Sequence, residues 1–199
     1  FSNPMNVIYD PDPKGLVCAR QAVAEYYRER GVTVPLERIF LTASTSEAYG
    51  FLFRLLANPG ESVVFPKPSY PLFEFLAGIH DLDWRTYTLI YQENWILDQQ
   101  SFQASLDGRT RAIILVNPNN PTGSCLNVQD LQTVMRESSL RNIPIICDEV
   151  FLDYGYTGQE GKSLAGNQDN LTFVLGGLSK SLALPQMKCS WIIISGPEQ

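Results

Sequence analysis

Short runs of consecutive apolar residues recur along nearly the whole chain. They alternate with stretches in which apolar positions fall at helical spacing. The runs predict seven strands: "RIFLT" (38–42), "SVVFP" (62–66), "DWRTYTL" (83–89), "RAIILVN" (111–117), "IPIICD" (143–148), "LTFVLG" (171–176) and "SWIIIS" (190–195). Most are continuously apolar rather than alternating, the pattern of strands covered on both faces.

Helical patterns fill the intervals. "GLVCARQAVAEYYRERG" (15–31) stops at Gly31, and "STSEAYGFLFRLLANPG" (44–60) opens with Ser44 and Glu47 at capping-box spacing. "SYPLFEFLAG" (69–78) and "NVQDLQTVMRESSLRN" (127–142) follow the same logic. Strands alternating with helices imply an α/β fold: a doubly wound, mostly parallel seven-stranded sheet with helices on both faces. No internal repeat, low-complexity tract or linker interrupts residues 1–199, which read as one domain with 1–14 as an N-terminal connecting segment.

Ligands of such sheets gather at the carboxyl ends of the strands. Five predicted strand ends carry "ASTSE", "KPSYP", "PNNPTG", "DEVF" and "GLSK". Ser44, Thr45 and Ser46 stand where free N–H groups at a helix start make an anion site; alternatively, Ser44 and Glu47 simply cap that helix. "NPNNPTG" is a turn by composition, from which Asn119 or Asn120 can reach a cleft. Asp148 ends a strand that should be buried, where a carboxylate needs a cation or hydrogen-bond donors; it either meets a ligand or caps nearby backbone. Tyr70 offers a flat ring for stacking, or is a half-buried aromatic. Lys180 follows the buried run and a Gly-Gly-Leu-Ser approach, with Lys188 as a second cation. A lysine against apolar walls is a candidate nucleophile; the plainer alternative is a salt-bridged lysine at a strand end.

Composition narrows the chemistry further. Charged residues make up 18% and hydrophobic residues 44% of 199, as in an ordinary globular protein. The net charge of -6 and the lack of a basic cluster argue against a nucleic-acid partner. No apolar run approaches the ~20 residues of a membrane span. Cys18, Cys125, Cys147 and Cys189 are scattered without a CxxC pair and read as reduced thiols of a cytoplasmic protein. With His80 the only histidine, neither a zinc site nor a Ser-His-Asp triad is expected. A phosphate cradle, a buried carboxylate, an aromatic face and an amine together suit pyridoxal 5′-phosphate.

The ordered set "LTASTSEAYGFLFRLL", "PSYPLF", "NPNNPTG", "DEVF" and "GGLSKSLALPQMK" resembles the large catalytic domain of class I/II aminotransferases, fold type I pyridoxal-phosphate enzymes. The resemblance runs from "YDPDPKGL" to "WIIISGP". It implies transfer of an amino group between an amino acid and a 2-oxo acid, with Lys180, Asp148 and Tyr70 as the catalytic set. Lys180 would form the Schiff base and carry the proton, Asp148 would keep the pyridine nitrogen protonated, and Tyr70 would stack on the ring. Asn120 would donate to the phenolic oxygen, while Ser44, Thr45, Ser46, Ser179 and Lys188 would hold the phosphate. Tyr9 matches a tyrosine that reaches the phosphate of the neighbouring subunit in a homodimer.

Three departures accompany the resemblance. Phe151 stands where the family often has a tyrosine that contacts the phenolic oxygen, and Lys188 stands where arginine is usual. The smaller C-terminal domain that grips the substrate carboxylate is expected to be absent from these residues. The same apparatus also serves lyases and decarboxylases, and the same fold serves non-catalytic cofactor-binding modules. A dinucleotide-binding alternative lacks a GxGxxG turn.

Overall fold

The computed structural model describes residues 8–9, 11–155 and 162–197. Part of the expected connecting segment, residues 1–7 and 10, lies outside the described residues. Helix α1 (Val17–Arg28) is followed by β1 (Ile39–Thr42), α2 (Thr45–Leu56), β2 (Ser62–Lys67), α3 (Leu72–Ile79), β3 (Asp83–Gln92) and β4 (Asn94–Leu97). Then come α4 (Gln99–Ser105), β5 (Thr110–Val116), α5 (Val128–Arg141), β6 (Ile145–Asp148), β7 (Thr172–Gly177), α6 (Leu178–Ser181) and β8 (Ser190–Ser195).

The strands form one sheet in the order β1-β8-β7-β6-β5-β2-β3-β4. β2 pairs parallel to both β3 and β5, and the β5–β6 and β6–β7 pairs are parallel as well. β8 runs antiparallel to β7 and to β1, so β1 keeps the common direction. The carboxyl ends of β1, β2, β5, β6 and β7 therefore lie along one rim, and antiparallel β8 begins there with Ser190.

The expected seven strands are eight among the described residues. The additional one, β4, folds back on β3 at the sheet edge through Glu93, whose φ of 60° reverses the chain. Tyr91 and Trp95 face each other across this hairpin with ring centroids 5.6 Å apart. "NWIL" is short and begins with a polar residue, so it carries little strand signal of its own.

Burial on both faces matches the continuous apolar runs. One core contains Val23 and Tyr27 of α1, Phe102 of α4 and Val134 of α5 against Ile113, Leu115, Ile145 and Cys147. The other contains Tyr49 and Phe53 of α2 and Phe73 and Ala77 of α3 against Ile114, Ile146, Phe173 and Leu175. Alternation along β6 follows directly: Cys147 belongs to the first core and Ile146 to the second. Each fully buried valine, leucine, isoleucine or phenylalanine among them contributes about 1.5–3 kcal/mol of transfer free energy.

The start of α2 is fixed by a cap at Ser44 and by Glu47, which reaches back to the residue before that cap. Ser44 Oγ accepts from the Glu47 N–H at 3.1 Å, and Glu47 Oε2 accepts from the Ala43 N–H at 2.7 Å.

Candidate functional site

A cleft opens on the rim of strand ends and is lined by side chains from five of them. Thr45 and Ser46 come from the first turn of α2, Tyr70 from the segment after β2, Asn120 from the turn after β5, Asp148 from β6, and Ser179 and Lys180 from α6. These residues are scattered over more than half of the sequence, and the parallel topology gathers them. Ser190, at the start of β8, also lines the cleft; nothing in the sequence marks it, because only the antiparallel run of β8 brings it there.

Asp148 ends β6 and is 7% exposed. Its Oδ2 accepts from the Tyr49 hydroxyl at 3.1 Å and its Oδ1 from the Val150 N–H at 3.2 Å. Burial lifts the carboxyl to about 6, and the two donors restrain the rise. A carboxylate has about four acceptor positions, so two donors leave capacity unused. No cation of the described residues contributes to holding its charge.

The neighbouring carboxylate, Glu149, points to the opposite face and is absent from the cleft. Ser163 Oγ donates to it at 2.6 Å, the Leu164 N–H at 2.7 Å and Cys147 Sγ at 3.7 Å. Its carboxyl is pushed up to about 7, by burial above all, with the Asp148 charge adding to the rise. Nothing in "DEVF" separates the two acids; only the strand's alternation does.

Lys180 is not at the strand end itself but on the four-residue helix α6 that follows the fully buried β7. It is exposed into the cleft, with Nζ 5.7 Å from the centroid of the Phe151 ring. The salt bridge of the alternative reading is not formed at this lysine among the described residues. The backbone beneath it is anchored: the Tyr154 hydroxyl donates to the Lys180 carbonyl at 2.9 Å, and Ser181 Oγ to the Gly177 carbonyl at 3.0 Å.

The turn after β5 distinguishes its asparagines. Asn119 is buried and donates from Nδ2 to the Pro68 carbonyl at 3.2 Å and to Thr122 Oγ1 at 2.9 Å. Gly123, at φ 69°, closes the turn by donating to the Asn119 carbonyl at 2.8 Å. Asn119 is thus committed to the turn, and Asn120 is the asparagine in the cleft.

Three expected site residues stand outside the lining. The Ser44 hydroxyl is occupied in capping α2. Lys188 is exposed beyond α6, and Tyr9 is 92% exposed. The described residues contain no cluster of metal-ligating side chains.

A glutamate-pyruvate aminotransferase of Haemophilus influenzae is 30% identical over 189 residues, covering 94% of this chain and 47% of the relative. Bovine tyrosine aminotransferase is 28% identical over 181 residues, 90% of this chain and 40% of the relative. The chain therefore spans less than half the length of these curated relatives. The solved structure of an alanine aminotransferase from Pyrococcus furiosus superposes with a TM-score of 0.88 at 30% identity, over 96% of this chain and 49% of that one. The sequence profile described as aminotransferase class I and II matches residues 7–197, nearly all of the chain, and the chain belongs to that family.

Proposed function

We propose that this chain binds pyridoxal 5′-phosphate in the cleft and serves the transfer of an amino group between an amino acid and a 2-oxo acid. The observation that carries the reading is Asp148: a buried carboxylate with unused acceptor capacity and no cationic partner of its own. A protonated pyridine nitrogen supplies the missing positive donor, and it would hold the carboxyl in its charged form. The other donors fit the same molecule. Thr45, Ser46 and Ser179 offer hydroxyls to a phosphate beside the free N–H groups of the first turn of α2. Ser44 serves that end by capping the turn, and Lys188 adds positive charge on the segment after α6.

When bound, the cofactor supplies an aldehyde that captures an amino group and an electron-poor ring that draws charge from the substrate. The chain supplies position and proton handling. Lys180 Nζ would hold the cofactor at its aldehyde and, when the substrate is bound, would take the proton that leaves the substrate α-carbon. Asn120 would donate to the phenolic oxygen, and Tyr70 would cover the ring. Gly177 permits close approach: a Cβ there would lie 2.4 Å from Ser190 Oγ.

The full assembly in this reading is a homodimer in which Tyr9 reaches the partner's phosphate; its 92% exposure leaves the phenol available. Residues 1–14 lead into a cofactor-binding large domain in this reading. The compartment is cytoplasmic, consistent with the thiols of Cys18, Cys147 and Cys189 standing outside any disulfide. Among the described residues no helix is long and apolar enough to cross a membrane.

The test is a visible spectrum of the intact protein with added pyridoxal phosphate, wild type beside Lys180→Ala. Borohydride reduction and peptide mapping then locate the adduct. A pH-sensitive band trapped on Lys180, with reciprocal exchange between paired amino and oxo acids, supports the reading. Release of ammonia or carbon dioxide without exchange would replace transfer by elimination or decarboxylation.

A further inference from the structure

The hydroxyl of Tyr49 reaches from the interior of α2 to a carboxylate 99 positions further along the chain. Tyr49 is 2% exposed, and its ring is fixed by Phe73 at 5.3 Å and Phe53 at 5.7 Å between centroids. Its surroundings are otherwise apolar: Leu52, Phe53, Phe73 and Ile146 belong to the same core. A phenol buried in such a place needs a partner for its proton, and Asp148 Oδ2 at 3.1 Å is that partner. Burial and the Asp148 charge both push the phenol well above its ordinary value, so it stays a donor throughout the working range.

Its place on the helix gives the contact a wider meaning. Thr45 lies four residues before Tyr49 and Ser46 three, so all three share one side of the first turns of α2. Thr45 and Ser46 line the cleft at the anion end, while Tyr49 grips the carboxylate at the other. One rigid element therefore sets the separation of the two ends of the site.

We infer that Tyr49 is a positioning residue for cofactor binding: it fixes the orientation of Asp148 and keeps that carboxylate in register with the Thr45 and Ser46 hydroxyls. The inference rests on the reading that Asp148 meets a cationic ring nitrogen. On the cleft side Asp148 meets Tyr49 from α2 and the Val150 N–H, with Lys180 lining the same cleft; Cys147 and Glu149, its chain neighbours on the opposite face, interact with it electrostatically. Tyr49 is the only side chain of the described residues that hydrogen-bonds to it.

The test measures binding of pyridoxamine 5′-phosphate, which carries the ring nitrogen and phosphate but no aldehyde, to the intact protein. Inorganic phosphate is the control probe for the anion end. Tyr49→Phe is expected to weaken pyridoxamine phosphate about tenfold, the worth of a hydrogen bond to a charged group, and to leave phosphate binding unchanged. Loss of the donor also raises the Asp148 pKa, so affinity should begin to fall at a higher pH than in wild type. In an Asp148→Asn background the same substitution should have no further effect. If Asp148→Asn weakens binding while Tyr49→Phe does not, the inference is overturned and the proposed function stands. A Tyr49→Phe effect that persists in the Asp148→Asn background also overturns it, because Tyr49 then acts on something else. If Asp148→Asn itself changes nothing, the reading of the cleft fails and the inference goes with it.

Discussion

Asp148 and Glu149 are adjacent, both buried and both shifted upward, yet they do different work. Glu149 receives three donors from its own chain and ties the 163–164 segment to the end of β6. Asp148 receives two donors and opens onto the cleft. Glu149 titrates higher despite its fuller set of donors: burial is the main cause for both acids, the ordinary glutamate value starts higher, and the Asp148 charge adds to the rise. The number of donors around a buried acid, rather than its pKa, separates an acid that fastens the fold from one that awaits a ligand.

Substituting each acid in turn tests that separation most strongly. Asp148→Asn should weaken cofactor binding by roughly ten- to a hundredfold with little loss of stability. Glu149→Ala strands three donors and should cost about 2–4 kcal/mol in denaturant unfolding. The contrast collapses if both variants lose stability equally, or if only Glu149→Ala loses cofactor.

A pH series sharpens the comparison. Both folded values, about 6 and about 7, exceed the ordinary 3.8 and 4.5, so the native state holds protons that the unfolded chain has released. The contribution of these two acids to the stability of the cofactor-free protein should therefore be greatest below the unfolded values and fall as pH rises from about 4 through 7. Saturating cofactor should remove the Asp148 part of this slope and leave the part that Glu149→Gln removes. Urea melts at stepped pH measure both.

Phe151 provides a subtler probe on the cleft side. Its ring lies beside Lys180 Nζ but has no hydroxyl to donate. Phe151→Tyr should lower the pH at which the bound cofactor changes colour; an unchanged spectrophotometric titration would mean that the ring is not positioned for that contact. Smallest of all, Ser44→Ala should cost about 1 kcal/mol of stability through the lost cap, with cofactor affinity preserved. Lys188→Ala, in contrast, should weaken the cofactor without touching stability. Equilibrium dialysis beside thermal melts distinguishes the two, and unchanged affinity in Lys188→Ala would remove that residue from the phosphate end.

Much of this was legible in the sequence because continuous apolar strands and their polar ends are local signals. "TASTSE", "PSYP", "NPNNPTG" and "GLSK" announce a rim of chemistry, and the sheet order brings it together. Features that depend on distant partners were not legible. Tyr49 falls at a core position of α2, and its hydroxyl has meaning only once β6 is beside it. Edge strand β4 exists because β3 offers it a free side and Glu93 turns the chain. Lys180 gains its exposure from the short helix α6, which four residues cannot signal by periodicity.

The two glycines that end β7 limit how the cleft can be adapted. A Cβ on Gly176 would lie 2.5 Å from Trp191 Nε1, and one on Gly177 2.4 Å from Ser190 Oγ. The floor under the lysine is thus already at its minimum height and cannot be raised without displacing β8. Any widening or narrowing of the cleft must come from its other walls, among them Tyr70, Val150 and Phe151, which makes those three positions the ones to randomise in a search for altered ligand binding.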